Sequence, residues 1–365
     1  MSQKKDTISL GIGQPDFSTM PEVINSVIVA LKEGKGSVYA PTRGVPKFKQ
    51  VIAEKLKKEN GIGANPDENV IVTPGGSGAI ELAFAAVFNQ GDEALFFSPN
   101  FVSYFYVAPF FDAKVVESPR NNNLEPDFDE FKKLISDRTK AIIINSPNNP
   151  TGNILSKKEV EEIAGLCNEH DLYLISDECY EKFVYDSNAH VSPGSLNGME
   201  DRVITLNATS KTFSTTGWRI GYIHAKSEII TLMENFLQYT AAGSNHPLQY
   251  GGITAMEMML EKPDLIDDII KVYQKKRDIC YKRLNDMGLA CPKPGGAFYI
   301  MPSVASTGLS GFDFSEKLIE EKGVAVVPGG IFGSHSKDRM RISYALGESL
   351  LAEALDRIED FKNRL

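Results

Sequence analysis

Cysteine is scarce in this chain. Four stand in 365 residues, at Cys167, Cys179, Cys280 and Cys291, and no two form a CxxC pair. That spacing excludes zinc-ribbon and dithiol motifs, and a chain of this length needs no disulfide staples. Free thiols in a reducing cytoplasmic compartment are the expectation, with no metal site. An excess of positive charge is also lacking. Lys and Arg number 39 against 48 Asp and Glu, leaving a net charge of −9 and a pI near 5.3. A nucleic-acid backbone wants a basic surface, so nucleic acid is excluded as the main partner; a local anion site is not. No window approaches the roughly 20 apolar residues of a membrane helix, and Met1-Ser2-Gln3-Lys4-Lys5-Asp6 leads into Ile8-Ser9-Leu10 without a signal-peptide apolar region. Neither membrane nor export is expected. Short-period repeats and low-complexity tracts are absent.

The nucleotide-binding glycine motifs are incomplete as well. Gly75-Gly76-Ser77-Gly78 is not followed by the Gly-Lys-Ser/Thr of a Walker loop. Gly11-Ile12-Gly13 lacks a third glycine and a preceding βαβ context, which argues against a dinucleotide fold.

What is present is a soluble-enzyme composition, 42% hydrophobic and 24% charged, in a chain long enough for two domains or one large α/β domain with an appendage. Short apolar runs alternate with helical patterns through the middle. Val70–Thr73, Ala94–Phe97, Ala141–Ile144, Leu172–Ile175, Val203–Leu206 and Ile220–Ile223 read as strands. Ser156-Lys157-Lys158-Glu159 is a capping box, followed by Val160, Ile163, Ala164 and Cys167 at helical spacing. The pattern predicts a mainly parallel sheet flanked by helices on both faces. In such sheets the site gathers at the carboxyl ends of the strands, where Ser77, Asn149, Asp177 and Lys211 fall. A long amphipathic helix through Leu265–Arg277 leads to a smaller α/β unit beginning at Pro294-Gly295-Gly296. The expected organisation is a large domain over residues 36–254 and a small domain from 1–35 with 255–365.

The run from Ser210 to Tyr222 carries most chemistry. A lysine that bonds a carbonyl cofactor needs partial desolvation to expose its neutral amine. Lys211 has Arg219 eight residues on as a candidate phosphate cation, and Gly217 and Gly221 permit close backbone approach. Gly75–Gly78 opens a helix, whose N–H groups and dipole favour an anion. Asn148-Asn149-Pro150-Thr151-Gly152 is a turn able to hold an amide rigidly. Asp177 closes an apolar strand, where a carboxylate calls for a cation such as a pyridinium N–H. Tyr180 could reach the phenolic oxygen of the same ring, Phe101 could stack on it, and Arg341 suits a carboxylate.

Together these motifs resemble the class I/II aminotransferases, fold-type I enzymes that use pyridoxal 5′-phosphate (PLP). The resemblance runs from about Ile8 to Ala345, with Asn148–Gly152, Ser176–Tyr180 and Ser210–Tyr222 in order. It implies a large PLP-binding domain and amino transfer from an L-amino acid to a 2-oxo acid. Lys211 is then the Schiff-base lysine and proton shuttle, with Asp177 on the pyridine nitrogen and Tyr180 and Asn149 on the ring oxygen. Arg219, Gly76, Ser77 and Ser210 hold the phosphate, and Phe101 stacks. Arg341, Asn149 and the backbone near Gly13 take the α-carboxylate. Tyr39 matches a tyrosine that reaches the neighbouring subunit's phosphate, and Ser244 and Asn245 lie near another interface stretch, so a homodimer with shared sites is implied. Arg43 and Tyr104 are candidates for side-chain selection. The family often has a hydroxyl residue where this chain has Ala208, and the arm before Gly13 is short. A PLP-dependent C–S β-lyase on the same frame is the alternative, and a non-catalytic PLP-binding regulatory module a remote one.

Overall fold

The computed structural model describes residues 6–365. Its centre is a seven-stranded sheet in the order Val70–Pro74, Ile220–His224, Val203–Ala208, Tyr173–Asp177, Thr139–Asn145, Glu93–Ser98, Lys114–Pro119. The strands from Val203–Ala208 to Lys114–Pro119 pair in parallel. Ile220–His224 alone runs against its neighbours on both sides. The mainly parallel α/β expectation therefore holds, with one reversed strand and one strand more than the periodicity showed. That extra strand, Lys114–Pro119, is half-exposed at the edge and carries Lys114 and Glu117, so it lacks the continuous apolar run that marks the buried strands.

The two faces of the sheet follow from strand alternation. Ile71, Phe96, Ile143, Ile175, Ile204 and Ile223 face one side, against helices Gly75–Val87 and Ser227–Thr240. Leu95, Phe97, Ile142, Ile144 and Leu174 face the other, against helix Lys157–Glu169 with its Ser156–Glu159 capping box. Further along that side Val70, Val72 and Tyr222 meet Phe48, Ile52 and Met256. Each fully buried side chain of this size contributes roughly 1.5–3 kcal/mol, which makes this sheet the rigid platform for whatever its strand ends carry.

The C-terminal third packs separately. Tyr299–Ile300, Val327–Pro328 and Met340–Ser343 form a three-stranded antiparallel sheet. Helices Asp267–Asp286, Gly311–Lys322 and Glu348–Lys362 cover it through Cys280, Leu284, Phe314, Leu318, Leu355 and Phe361. The arm joins it, since Ile8–Ser9 pairs in parallel with Val324–Ala325. Further on, helix Pro21–Lys32 packs instead on helix His246–Glu261. No helix among the described residues is long and apolar enough to cross a membrane. All four cysteines are buried free thiols.

Candidate active site

A cleft of about 370 Å³ opens at the carboxyl ends of the strands, between the large sheet and the C-terminal third. Gly13, Gly76, Ser77, Phe101, Asn149, Asp177, Tyr180, Ser210, Lys211, Arg219 and Arg341 all line it. These come from seven separated stretches of sequence, so only the fold joins them.

Strand Tyr173–Asp177 delivers Asp177 to the floor, 5% exposed. Its Oδ2 accepts a hydrogen bond from the Tyr104 hydroxyl at 2.7 Å and its Oδ1 accepts one from the Cys179 backbone N–H at 3.2 Å. Burial pushes its pKa up, and these donors oppose the shift. Next to it, the Asn149 backbone N–H donates to Asn145 Oδ1 at 2.8 Å, and Asn148 Oδ1 accepts from Thr151, which ties the turn down. Gly152 has a φ of +73°, and a Cβ there would lie 2.6 Å from Pro294 and 2.7 Å from the Tyr299 carbonyl, so the turn seats directly on the C-terminal third.

Arg341 enters from strand Met340–Ser343 and is 7% exposed. It donates through Nη1 to Asn149 Oδ1 at 3.0 Å and through Nη2 to the Gly11 carbonyl at 2.6 Å. Its guanidinium lies between the rings of Tyr299 and Phe332, at 4.6 and 4.9 Å from their centroids. Its Nε is buried without a partner.

Lys211 follows strand Val203–Ala208 on the short helix Thr209–Thr212. Its Nζ donates to the Gly13 carbonyl at 2.5 Å and sits 5.8 Å from the Tyr180 ring centroid. Burial lowers its pKa, with Arg341 and Arg219 pushing the same way against Cys179 and Asp177. The Tyr180 hydroxyl meets the Tyr299 hydroxyl at 2.8 Å, and burial holds its phenol well above the usual range, hence neutral.

Another part of the cleft lining suits an anion. Helix Gly75–Val87 begins there, and Arg219 lies across its first turn with Nη2 at 3.4 Å from Ser77 Oγ. Arg219 adopts φ +56°, an uncommon backbone for a side chain of this size. A Cβ on Gly75 would lie 2.6 Å from Arg219 Nη2, and one on Gly221 would lie 2.6 Å from the Gly75 backbone. Both glycines are thus required by the close packing of guanidinium, helix start and strand. Ser210 Oγ is buried without a partner.

Three sequence candidates lie elsewhere. Tyr39 is 86% exposed, in a surface groove with Ala241, Ser244 and His246. Arg43 is drawn into an ion pair with Glu234 at 2.7 Å, away from the cleft wall. Tyr104 does not face substrate space but is fully buried under Asp177. Conversely Tyr299, Cys179 and Asn145 line the cleft, and periodicity alone did not single them out. For Tyr104 a signal existed: it stands three residues after Phe101, a spacing that shares a helix face.

Comparison with known proteins bears directly on this geometry. The family profile described as aminotransferase class I and II matches residues 5–358. The chain belongs to that family. An aspartate aminotransferase of Pyrococcus abyssi is 44% identical over 97% of this chain and 91% of its own. Aromatic-amino-acid aminotransferase 2 of Thermococcus litoralis is 42% identical over 96% and 90%. Among solved structures, an aromatic aminotransferase from Pyrococcus horikoshii superposes with a TM-score of 0.95 at 42% identity, covering 99% of this chain and 96% of that one.

Class I and II aminotransferases use PLP, and this chain is a PLP-dependent transaminase acting on amino acids and 2-oxo acids. The cleft fits such a group chemically. It offers a helix start and a guanidinium for a phosphate, an orphaned buried hydroxyl at Ser210, and a buried carboxylate at Asp177 whose hydrogen-bond partners are neutral.

Proposed function

We propose that Lys211 is the residue that bonds the cofactor and shuttles the proton during amino transfer. The observation that carries this is the convergence of a desolvated lysine amine with a buried carboxylate and a stacked arginine in one cleft. When bound, PLP supplies an electron sink for the negative charge that develops at the substrate α-carbon. Asp177 would meet the ring nitrogen, Tyr180 and Asn149 the ring oxygen, and Phe101 the ring face. Arg219, Gly76, Ser77 and Ser210 would hold the phosphate. Arg341 with Asn149 orients the substrate α-carboxylate, helped by the backbone at Gly13. That clamp positions the α-hydrogen for the Lys211 Nζ, which accepts it and later returns a proton. A neutral amine is needed for both roles, and the lowered pKa of Lys211 supports it.

The reading extends to the molecule. The division into a large domain over residues 36–254 and a small one from 1–35 with 255–365 carries over in outline, with helices Pro21–Lys32 and His246–Glu261 counted on the large side because both pack in its core. Two copies share sites, with Tyr39 of each reaching the other's phosphate position; its outward exposure supports this. The protein works in the cytoplasm. Aspartate and aromatic amino acids are the first donors to try, because relatives carry those names.

The test is spectroscopic and kinetic. The purified protein with PLP is expected to show a visible absorption band that borohydride bleaches, and to convert 2-oxoglutarate with a suitable donor. Lys211→Ala should lose both. A wild type that stays colourless with added PLP would sink the reading. Release of ammonia or thiol with no requirement for a 2-oxo acid would favour the lyase alternative.

A further inference from the structure

The contact beneath Asp177 has no place in the roles above. Tyr104 is fully buried, and its hydroxyl donates to Asp177 Oδ2 at 2.7 Å. The Cys179 backbone N–H takes Oδ1 at 3.2 Å. Each carboxylate oxygen is thus fixed by one protein donor and keeps lone-pair capacity toward the cleft. Tyr104 itself cannot turn away. Its ring packs edge-on against Phe101 at 5.7 Å and against Phe96 at 5.9 Å. Phe101 is on the cleft wall, so one short segment, Phe101 to Tyr104, holds both an aromatic wall and the carboxylate floor.

We propose that Tyr104 is a positioning residue of the transaminase: its hydroxyl keeps the Asp177 carboxylate aimed and ionised for the ring nitrogen. The proposal rests on the assignment of Asp177 made above. A carboxylate so deeply buried tends to take up a proton, and a neutral carboxyl could not keep the ring nitrogen protonated. The charged and titratable groups around Asp177 do not solve this by themselves. Glu178, its fully buried neighbour, raises its proton affinity. Cys179 contributes a thiol that burial keeps neutral. Lys211 is the cation that couples to it, but burial also lowers the Lys211 pKa, and the amine must be neutral to react. That leaves fixed neutral donors, of which Tyr104 has the shorter bond. Burial and the adjacent Asp177 hold its phenol well above the usual range, so it remains a donor throughout the working pH.

Tyr104→Phe removes the hydroxyl and keeps the ring. In the full-length protein, PLP affinity measured by fluorescence titration should fall about tenfold at neutral pH, as expected for a lost hydrogen bond to a charged group. The decline of affinity toward acid should begin at higher pH than in wild type. The acid limb of kcat/KM should move the same way, and KM for the amino donor should be unchanged on the plateau. Carbon NMR of labelled Asp177 in the cofactor-free protein should show the carboxyl titrating at higher pH. A purely structural role would lower thermal stability while leaving the limb and the titration in place, and that result overturns the proposal. Should Tyr104→Phe fail to fold, 3-fluorotyrosine at position 104 preserves the packing and strengthens the donor; it should move the limb to lower pH, and an unmoved limb overturns the proposal. Asp177→Asn separates the two readings. If it binds PLP like wild type, the Asp177 assignment itself fails and the Tyr104 role falls with it. If Asp177→Asn loses affinity but Tyr104→Phe overlays wild type, only the Tyr104 role fails.

Discussion

Burial disfavours the charged form of both Lys211 and Asp177, and stability should register it. Burial raises the Asp177 pKa above that of the unfolded chain. Its contribution to stability is therefore full at acid pH and is lost as pH rises through the folded value. Burial lowers the Lys211 pKa, so its contribution is full at alkaline pH and is lost as pH falls through the folded value. Near neutral pH both groups are destabilising wherever they are charged. Asp177→Asn keeps an acceptor for Tyr104 but sets its amide NH2 against the Cys179 N–H, a pH-independent cost. On top of that offset, the melting temperature of the cofactor-free protein should gain on wild type as pH rises from acid to neutral, where only wild type loses stability. Lys211→Met should raise it at neutral pH and lose the advantage in strong alkali. Both variants should lose transamination. Calorimetry across pH checks the sign. Ala208 gives a third residue-scale expectation. A Cβ built on Gly76 would lie 3.7 Å from the Ala208 methyl, and Ala208 lines the cleft. Ala208→Ser should add a donor near the phosphate position and tighten PLP by about tenfold, measured by equilibrium titration.

Elements place these residues, and two junctions matter most. Where strand Ile220–His224 passes the start of helix Gly75–Val87, Gly221 leaves no room for a methyl group, because a Cβ would meet the Gly75 backbone at 2.6 Å and the Thr73 hydroxyl at 2.8 Å. Gly221→Ala should cost about 1–3 kcal/mol through overpacking. It should also weaken PLP, since the helix start must shift; denaturant unfolding and titration read the two effects separately. Behind the strand end that carries Asp177, the buried Lys55 pairs with Glu181, which also accepts from Asn60 and Asn207. Lys55→Met leaves that carboxylate without its cation and should cost about 3–5 kcal/mol. Much of this level was readable in advance. Six of the seven strands show as apolar runs, and the Ser156–Glu159 box marks its helix start as written. The edge strand Lys114–Pro119 was not readable, because half-exposed strands with charges look like loops. The reversal of Ile220–His224 was not readable either: an apolar run reports burial, not direction.

At the scale of the whole molecule, apolar side chains are left outside. Ile24, Ile28 and Leu31 stand exposed along helix Pro21–Lys32, with Val38 and Tyr39 beyond it. A contiguous apolar face of this kind marks an interaction surface, in keeping with the proposed dimer. Val38→Glu should shift the protein toward monomer in analytical ultracentrifugation and weaken PLP if Tyr39 serves the other copy. A dimer unaffected in both respects would place the interface elsewhere.

The chain by itself determined the chemistry on offer. A lysine before an arginine-glycine run, a carboxylate at an apolar strand end, an asparagine in a proline-glycine turn and an arginine in an apolar segment are identities that local sequence carries, and they pointed to one cofactor. Which atoms meet was decided only by the tertiary structure. Gly13 and Lys211, or Tyr104 and Asp177, lie far apart along the chain and within one hydrogen bond in space. Such contacts depend on how sheets and helices pack, and side-chain type records no distance. So Tyr104, read from sequence as a possible selector of substrate, is instead a buried donor to Asp177.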